Sequence, residues 1–342
     1  MKGIIGWDVG GVNIKAARWV DGAPPRAILQ SFELQRAPAR LPATLAAMAQ
    51  ELGSRGGDHH GITMTAELSQ YFRTKREGVE FVLQALESVF GTDQLHVFGT
   101  DGHFSPPQQA RVDPLRVAAA NWMATAQLVA QTTETCLLID IGSTTADIIP
   151  IVSGSVVAVG RTDPARLASG KLVYTGALRT PAEAVAHEVP FRGDSAGVCA
   201  EGFAIMGDVH LWLGALTPED YTVPTPDGRP ATRLHAGERL ARVVCGDREM
   251  LADADVDAVA GALADAQTDR VAAAIRRVCR RHPEITVAVV TGLGDFIARE
   301  AARRAGLSPV RLADRLGGAP AQAAPAIAVA TLLGQALAGS RS

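Results

Sequence analysis

Apolar residues come in two patterns along this chain. Some form short unbroken runs that stop at glycine; others recur every three or four positions. A short run closed by a turn signal predicts a strand, and the wider spacing predicts a helix. Ile4-Ile5-Gly6-Trp7 runs into Asp8-Val9-Gly10-Gly11, and Ile14-Lys15-Ala16-Ala17-Arg18-Trp19-Val20 follows. That is strand, glycine turn, strand. Asp21-Gly22 predicts a hairpin turn and Ala27-Ile28-Leu29 a third strand. A helix is predicted over 41–52. Gly61-Ile62-Thr63-Met64-Thr65 reads as a strand ending at Ala66-Glu67-Leu68-Ser69. Over 75–90 the apolar residues Val79, Val82, Leu83, Leu86, Val89 and Phe90 keep helical spacing. His96-Val97-Phe98 is a further strand, ending at Gly99-Thr100-Asp101-Gly102. Asp113-Pro114 places a cap and a first-turn proline before a helix that should reach about residue 131.

The opening pattern then recurs. LLIDIGSTTADIIPI, starting at Leu137, repeats the arrangement of IIGWDVGGVNIKAA, starting at Ile4. Each has a buried run, a carboxylate at its end, a glycine turn, small polar residues and more apolar sequence. The repeat suggests a duplicated domain with a phosphate-handling cleft between its halves. Further along, a strand is expected over 155–159. Helices are expected to start at Thr180-Pro181-Ala182-Glu183 and at Thr217-Pro218-Glu219-Asp220, and to cover 194–213 and 236–281. A Pro- and Gly-rich loop separates 220 from 233. A buried strand over 284–290 stops at Thr291-Gly292-Leu293-Gly294-Asp295 and leads into a helix to 305. The last helix, over 321–337, contains Pro325, so its first turn belongs near there. Strands alternating with helices, and hairpins after the glycine turns, predict an α/β protein with mixed sheets.

Composition narrows the function classes. The chain has 342 residues, 47% hydrophobic and 20% charged, with a net charge of −3. That suits two domains with a substantial core. No basic stripe interleaved with aromatics is present, so nucleic acid is not an expected partner. The four cysteines, Cys136, Cys199, Cys245 and Cys279, are widely spaced and are read as buried reduced thiols. His59-His60 is the one adjacent histidine pair, and no metal-ligand spacing points to structural zinc. Met1-Lys2-Gly3 leads straight into the first strand, which argues against a signal peptide. The apolar tail over 326–333 is shorter than the roughly 20 residues that cross a bilayer. A soluble, cytoplasmic protein is expected.

Asp8 and Asp140 occupy equivalent places in the two copies. A carboxylate at a strand end beside a glycine turn can hold magnesium, directly or through water. Gly10, Gly11 and Gly142 would let backbone N–H groups approach phosphate oxygens. Asn13, Ser143, Thr144 and Thr145 add neutral donors, and Lys15 a cation. An ordinary hairpin turn would use similar residues, but two matching copies favour a site. Gly292 and Gly294 form a third candidate for phosphate or nucleoside, or else a tight turn required by sterics. Glu67, just past a strand, is a candidate base or ligand, or a first-turn helix acid; Asp101 carries the same ambiguity. Asp208 lies in a helix apolar on most sides and is expected to face the cleft. Lys171 either meets an anionic substrate or is solvated. Arg276, Arg277, Arg280 and Arg281 read as a solvated helix face.

The two Asp–Gly segments together with Val290-Thr291-Gly292-Leu293-Gly294 resemble the actin / sugar kinase / Hsp70 superfamily. That resemblance implies two ribonuclease-H-like domains, 1–132 and 133–342. The second would carry a helical insertion over about 176–283, and the C-terminal helix would pack back on the first. Five ordered segments carry a closer likeness: WDVGGVNIKAA, MTAELSQYFRTKREGV, LLIDIGSTTADIIPI, LVYTGALRTPAEAV and AIMGDVHLWLGAL. They resemble the hydantoinase/oxoprolinase-related condensing enzymes of methanofuran synthesis, found in methanogens and in methylotrophs with tetrahydromethanopterin-linked C1 transfer. The family's reaction, as the resemblance implies it, joins an aminomethyl-furanmethyl diphosphate to the phenol of a γ-glutamyl tyramine- or tyrosine-type acceptor and releases diphosphate. On this reading Asp8 and Asp140 organise a hard divalent cation such as Mg2+. Gly10, Gly11, Asn13, Lys15, Ser143, Thr144 and Thr145 hold the diphosphate, and Glu67 or Asp208 acts at the phenol. Lys171, Arg179 and Arg192 are candidate partners for the acceptor's carboxylate. ATP is not expected to be required, and a homo-oligomer is compatible with the reading. The rival expectations are an ATP-dependent kinase or amidohydrolase of the same superfamily, with Gly292 and Gly294 on the nucleotide, and a non-catalytic nucleotide-sensing or assembly factor.

Overall fold

The first apolar run is β1 (Ile4–Val9), buried at every position because it lies inside a sheet covered on both faces. The computed structural model describes residues 3–20, 22–158, 160–315 and 321–339. The predicted turn residue Asp21, the leader residues Met1 and Lys2, and Val159 at the end of a predicted strand lie outside these. The sheet continues with β2 (Asn13–Val20), β3 (Ala23–Ser31), β4 (His59–Met64), β5 (Leu95–Phe98) and β6 (Phe104–Ser105), in the order β3-β2-β1-β4-β5-β6. β1 is antiparallel to β2 and parallel to β4.

Side chains alternate across β1. Ile5, Trp7 and Val9 join Leu41, Leu45 and Met48 of α1 (Leu41–Glu51) and Val79, Val82, Leu83 and Leu86 of α2 (Lys75–Phe90) in one core. The opposite face carries Ile4 and Gly6. There α11 (Ala324–Gly339) packs so closely that a Cβ on Gly6 would run into the Ala326 carbonyl, and one on its register partner Gly61 would stand 2.7 Å from Val329. The helix predicted from Asp113 to residue 131 is instead broken. α3 (Pro107–Val112) precedes it, and α4 (Pro114–Val117) is followed by α5 (Asn121–Ala130). The break falls at Ala119, whose φ of 50° is left-handed.

The second sheet is built from β7 (Cys136–Ile141), β8 (Ala146–Val152), β10 (Leu172–Val173), β13 (Val287–Thr291) and β14 (Ser308–Arg311), with β9 (Ser155–Val156) beside β8 and α6 (Asp163–Ser169) leading into β10. Its order, β10-β8-β7-β13-β14, is third, second, first, fourth, fifth: the order of the first sheet. The fold is therefore α/β with two ribonuclease-H-like sheets, and the duplication seen in two short segments extends to whole sheets.

Between β10 and β13 lie the hairpin β11 (Glu188–Phe191) and β12 (Asp194–Gly197), then α7 (Met206–Trp212), α8 (Arg233–Arg242) and α9 (Asp253–Cys279); α10 (Asp295–Arg304) follows β13. The expected helix over 194–213 begins only at Met206. Arg192 and Gly193, with φ of 50° and 89°, turn the chain back into a hairpin first. The helix expected over 236–281 is divided where Cys245 takes φ 57°. The two predicted starts at 180 and 217 make single 3-10 turns, Ala182–Ala184 and Pro218–Asp220.

The chain divides into two units. One comprises Met1–Leu138, Ile149–Ser169 and Arg311–Ser342, so α11 belongs to it; the other comprises Ile139–Ile148 and Gly170–Val310. The single boundary at 132/133 read from sequence is thus replaced by several crossings. Among the described residues no helix is long and apolar enough to cross a membrane.

Candidate functional site

In the first unit the polar residues gather where β1 and β4 end. Asp8 is next to last in β1 and stands opposite Lys15 of β2 and Thr63 of β4. Lys15 Nζ lies 2.7 Å from Asp8 Oδ2. The Gly10 N–H donates to the Asn13 carbonyl at 3.0 Å. A Cβ at Gly10 would stand 2.6 Å from that oxygen, so the tight turn requires glycine there. Gly11 is under no such pressure: nothing lies within 4 Å of a Cβ built on it. The Thr65 N–H donates to the Val9 carbonyl at 2.9 Å, tying the end of β4 to the Asp8 loop.

Glu67 follows two residues later in a 3-10 turn, Ala66–Leu68, its side chain fully buried. Such a short turn has little dipole for a first-turn acid to complement. Lys75, the first residue of α2, places Nζ 3.4 Å from Glu67 Oε1 and 2.6 Å from Asp163 Oδ2. Burial pushes the Glu67 carboxyl up to about 7, against the pull of Lys75. Helix α2 reaches the turn because residue 78 is glycine: a Cβ there would stand 2.5 Å from Glu67 Cα. Four buried oxygens in this region, Asp8 Oδ1, Asn13 Oδ1, Thr63 Oγ1 and Glu67 Oε2, have no hydrogen-bond partner among the described residues. Unpartnered buried polar atoms are costly, and a cluster of them is a common mark of a site that meets a polar ligand.

The second unit repeats the turn. The Gly142 N–H donates to the Thr145 carbonyl at 2.9 Å, as Gly10 does to Asn13. The N–H groups of Gly10 and Gly142 themselves are thus engaged inside their own turns. The loop is strapped from outside, since Leu178 and Arg179 donate to the Ser143 carbonyl at 3.1 and 2.9 Å. Gly176 permits this, because a Cβ there would collide with the Thr144 backbone. Behind the strap Gln267 Nε2 donates to Thr175 Oγ1 and to the Gly176 carbonyl at 2.9 and 2.8 Å, and Gln267 Oε1 lies 2.8 Å from His210 Nε2. Burial lowers His210 to about 4 and keeps it neutral. Sequence reasoning missed Gln267. The available signal was a polar residue on the buried stripe of α9 between Leu263 and Val271.

For Gly292 and Gly294 the geometry shows the steric alternative of the tight turn. Gly292 has φ 94°, and a Cβ on it would stand 2.5 Å from Asp140 Oδ1. The Gly294 N–H donates to the Ile141 carbonyl at 2.8 Å. These glycines let the β13–α10 turn close on the Asp140 loop, so their steric role accounts for them. Asp208 is corrected most sharply. It is wholly buried, with Oδ1 held by Arg239 Nε at 2.8 Å and the Tyr221 hydroxyl at 3.1 Å, and Oδ2 by the Ile205 N–H at 3.0 Å. It caps α7 and pairs inside a core, leaving no free edge for a phenol.

Lys171 is buried rather than solvated. Arg192 is turned to Asp255 at 3.0 Å, while Arg179 stays exposed. Asp101 pairs with Arg116 at 2.6 Å. Cys199 and Cys245 are accessible, their sulfurs 3.0 Å apart, which corrects the reading of all four cysteines as buried. Among the described residues no three His, Cys, Asp or Glu side chains gather to cage a metal. Asp8 Oδ1, buried and unpartnered, suits the other common arrangement, in which one or two carboxylates share magnesium with substrate phosphates.

A model of the hydantoinase/oxoprolinase family matches residues 58–335. The (4-{4-[2-(gamma-L-glutamylamino)ethyl]phenoxymethyl}furan-2-yl)methanamine synthase of Methanocaldococcus jannaschii is 34% identical over 331 residues, covering 96% of this chain and 97% of that protein. The synthase of the same name from Methanococcus vannielii is 33% identical over 202 residues, 58% of this chain and 90% of its own. Among solved structures, (R)-2-hydroxyglutaryl-CoA dehydratase component A of Acidaminococcus fermentans aligns over 96% of both chains at 12% identity, with a TM-score of 0.49.

Proposed function

The chain belongs to the hydantoinase/oxoprolinase family, and from that premise we propose that it is a condensing synthase of methanofuran biosynthesis. The observation that carries this reading is 34% identity along nearly the whole of both chains to a synthase whose name specifies its product. That product contains a phenoxymethyl-furan, an aryl ether. Its formation joins a phenol oxygen to a furan-bound methylene carbon.

The electron-rich furan supports an electron-poor methylene, so the carbon is reactive once its leaving group departs. We take that group to be diphosphate. The phenol oxygen gives the new C–O bond its electron pair, the old C–O bond leaves with diphosphate, and the phenolic proton goes to a base. Free phenols of this type lose a proton near pH 10, so a base and a cation help. Glu67, held near 7 by burial and with Oε2 unpartnered, has the properties of that base. In the first unit Asp8, with Oδ1 buried and unpartnered, is the residue we assign to Mg2+, and Asp140 holds the corresponding place in the second unit; the ion when bound would neutralise diphosphate charge. Lys15, paired with Asp8, adds a cation from the neighbouring strand.

Purified protein given Mg2+, the aminomethyl-furanmethyl diphosphate and γ-glutamyl tyramine should yield the ether by mass spectrometry, with one diphosphate per ether. Asp8→Asn and Asp140→Asn should each lower kcat by roughly 10²-fold or more. A wild type that releases no diphosphate, or variants that keep full turnover, would sink the proposal.

A further inference from the structure

Lys75 is a poor choice for the place it occupies. It opens a 16-residue helix, where a positive charge opposes the helix dipole. The helix does not need it for capping: the Thr74 hydroxyl accepts from the Glu77 N–H at 3.2 Å, and Glu77 supplies the favourable first-turn acid. A residue that works against its own element is expected where function overrides local preference.

The surroundings of Lys75 indicate what it does. Its ammonium touches Glu67 and Asp163, two carboxylates from separate elements of the first unit. Lys75 of α2 and Asp163 of α6 are the charged groups that act on Glu67. Asp163 is balanced in turn by Arg166, whose Nη1 lies 3.7 Å from Asp163 Oδ1, so Lys75 is the cation that Glu67 itself meets, and burial leaves Glu67 able to take up a proton. Glu67 Oε2 is the carboxylate atom there that is buried without a partner. On the segment between Glu67 and Lys75, the side chains of Leu68 and Tyr71 are about half exposed, at 52% and 51%. An accessible apolar and aromatic surface on the segment that joins the carboxylate to the ammonium is suited to an aromatic ring that carries a hydroxyl.

Resting on the synthase reading above, we infer that Lys75 is a further catalytic residue at the phenol, its ammonium facing the oxygen that becomes negative as Glu67 Oε2 takes the proton. Asp163 is a positioning residue that keeps the ammonium in place. The phenolic proton passes to Glu67, the oxygen's electron pair forms the bond to the methylene carbon, and the bond from that carbon to diphosphate breaks. Lys75 keeps its protons throughout. Proton uptake by Glu67 and charge stabilisation by Lys75 are thus divided between two side chains about 3.4 Å apart.

The test is the pH profile of kcat/KM in folded Lys75→Met, Lys75→Arg and Asp163→Asn proteins, with folding checked by thermal melting. Wild type should show an acid limb near pH 7, set by Glu67. Lys75→Met should lose roughly 10²-fold or more in kcat. Its acid limb should move to higher pH, since Glu67 loses its counter-charge, and its KM for the furan diphosphate should stay unchanged. Lys75→Arg should recover most of the rate. Ultraviolet difference absorption of the bound acceptor should show less phenolate in Lys75→Met than in wild type. A folded Lys75→Met with wild-type kcat and an unmoved acid limb overturns the inference and leaves the synthase reading standing. If Lys75→Met does not fold, Asp163→Asn decides: a lowered kcat with a moved limb supports the inference, and an unmoved profile overturns it. A wild type that makes no ether overturns both.

Discussion

At the scale of single residues, Glu67 and Asp208 make the instructive pair. Both are buried carboxylates, and both were read from sequence as candidates for the phenol. Asp208 has both oxygens occupied by Arg239, Tyr221 and the Ile205 N–H. Glu67 shares one oxygen with Lys75 and leaves the other without a partner. Removing one member of a buried ion pair strands the other charge, at a cost of about 3–5 kcal/mol. Asp208→Ala should therefore lose stability of that order in urea denaturation, while whatever stays folded keeps wild-type kcat. A variant that is stable but inactive would return Asp208 to the catalytic list. The place of both acids within or beside apolar runs was legible. Their difference was not, because Arg239 lies 31 residues from Asp208, and Asp163 lies 88 residues from the Lys75 it holds.

At the scale of elements, α2 connects helix packing to the candidate base. Its apolar spacing was readable, and the helix forms over Lys75–Phe90 as that spacing predicts. Glycine in a helix interior costs about 1 kcal/mol relative to alanine, yet Gly78 is there because its Cα sits against the backbone of Glu67. In an isolated helix Gly78→Ala would stabilise. In this protein the added Cβ must displace Glu67 or the helix, so the variant should lose about 1–3 kcal/mol and a large part of its turnover. Denaturation and rate measurements on one sample check this; a more stable, fully active Gly78→Ala would show that the contact has room to relax. Elements were misread where a residue other than glycine turns the backbone left-handed. Ala119 divides a predicted helix, Arg192 begins a hairpin inside a region read as helical, and Cys245 divides another helix. Side-chain periodicity carries no signal for such positions.

At the scale of the whole molecule, α11 returns from the far end of the chain to cover the first sheet. Gly6 and Gly61, register partners on β1 and β4, open the groove it occupies, and Ala330 and Leu333 pack there with Ile4. A chain ending at residue 315 would leave that sheet face bare. It should be insoluble, or should lack the cooperative thermal transition of the first unit; a soluble truncated protein with wild-type melting would contradict this. The sequence by itself determined the α/β class, the two strand–turn–strand segments and their shared Asp–Gly turns. A buried strand needs a continuous apolar run and its tight turn needs glycine, and both are local demands written in consecutive residues. The tertiary structure alone decided which buried acid is neutralised, which glycines serve packing and which carboxylate keeps a free edge. Those outcomes depend on side chains brought together from distant segments, and a pattern of apolar and polar positions records whether a residue is buried, not which residues surround it.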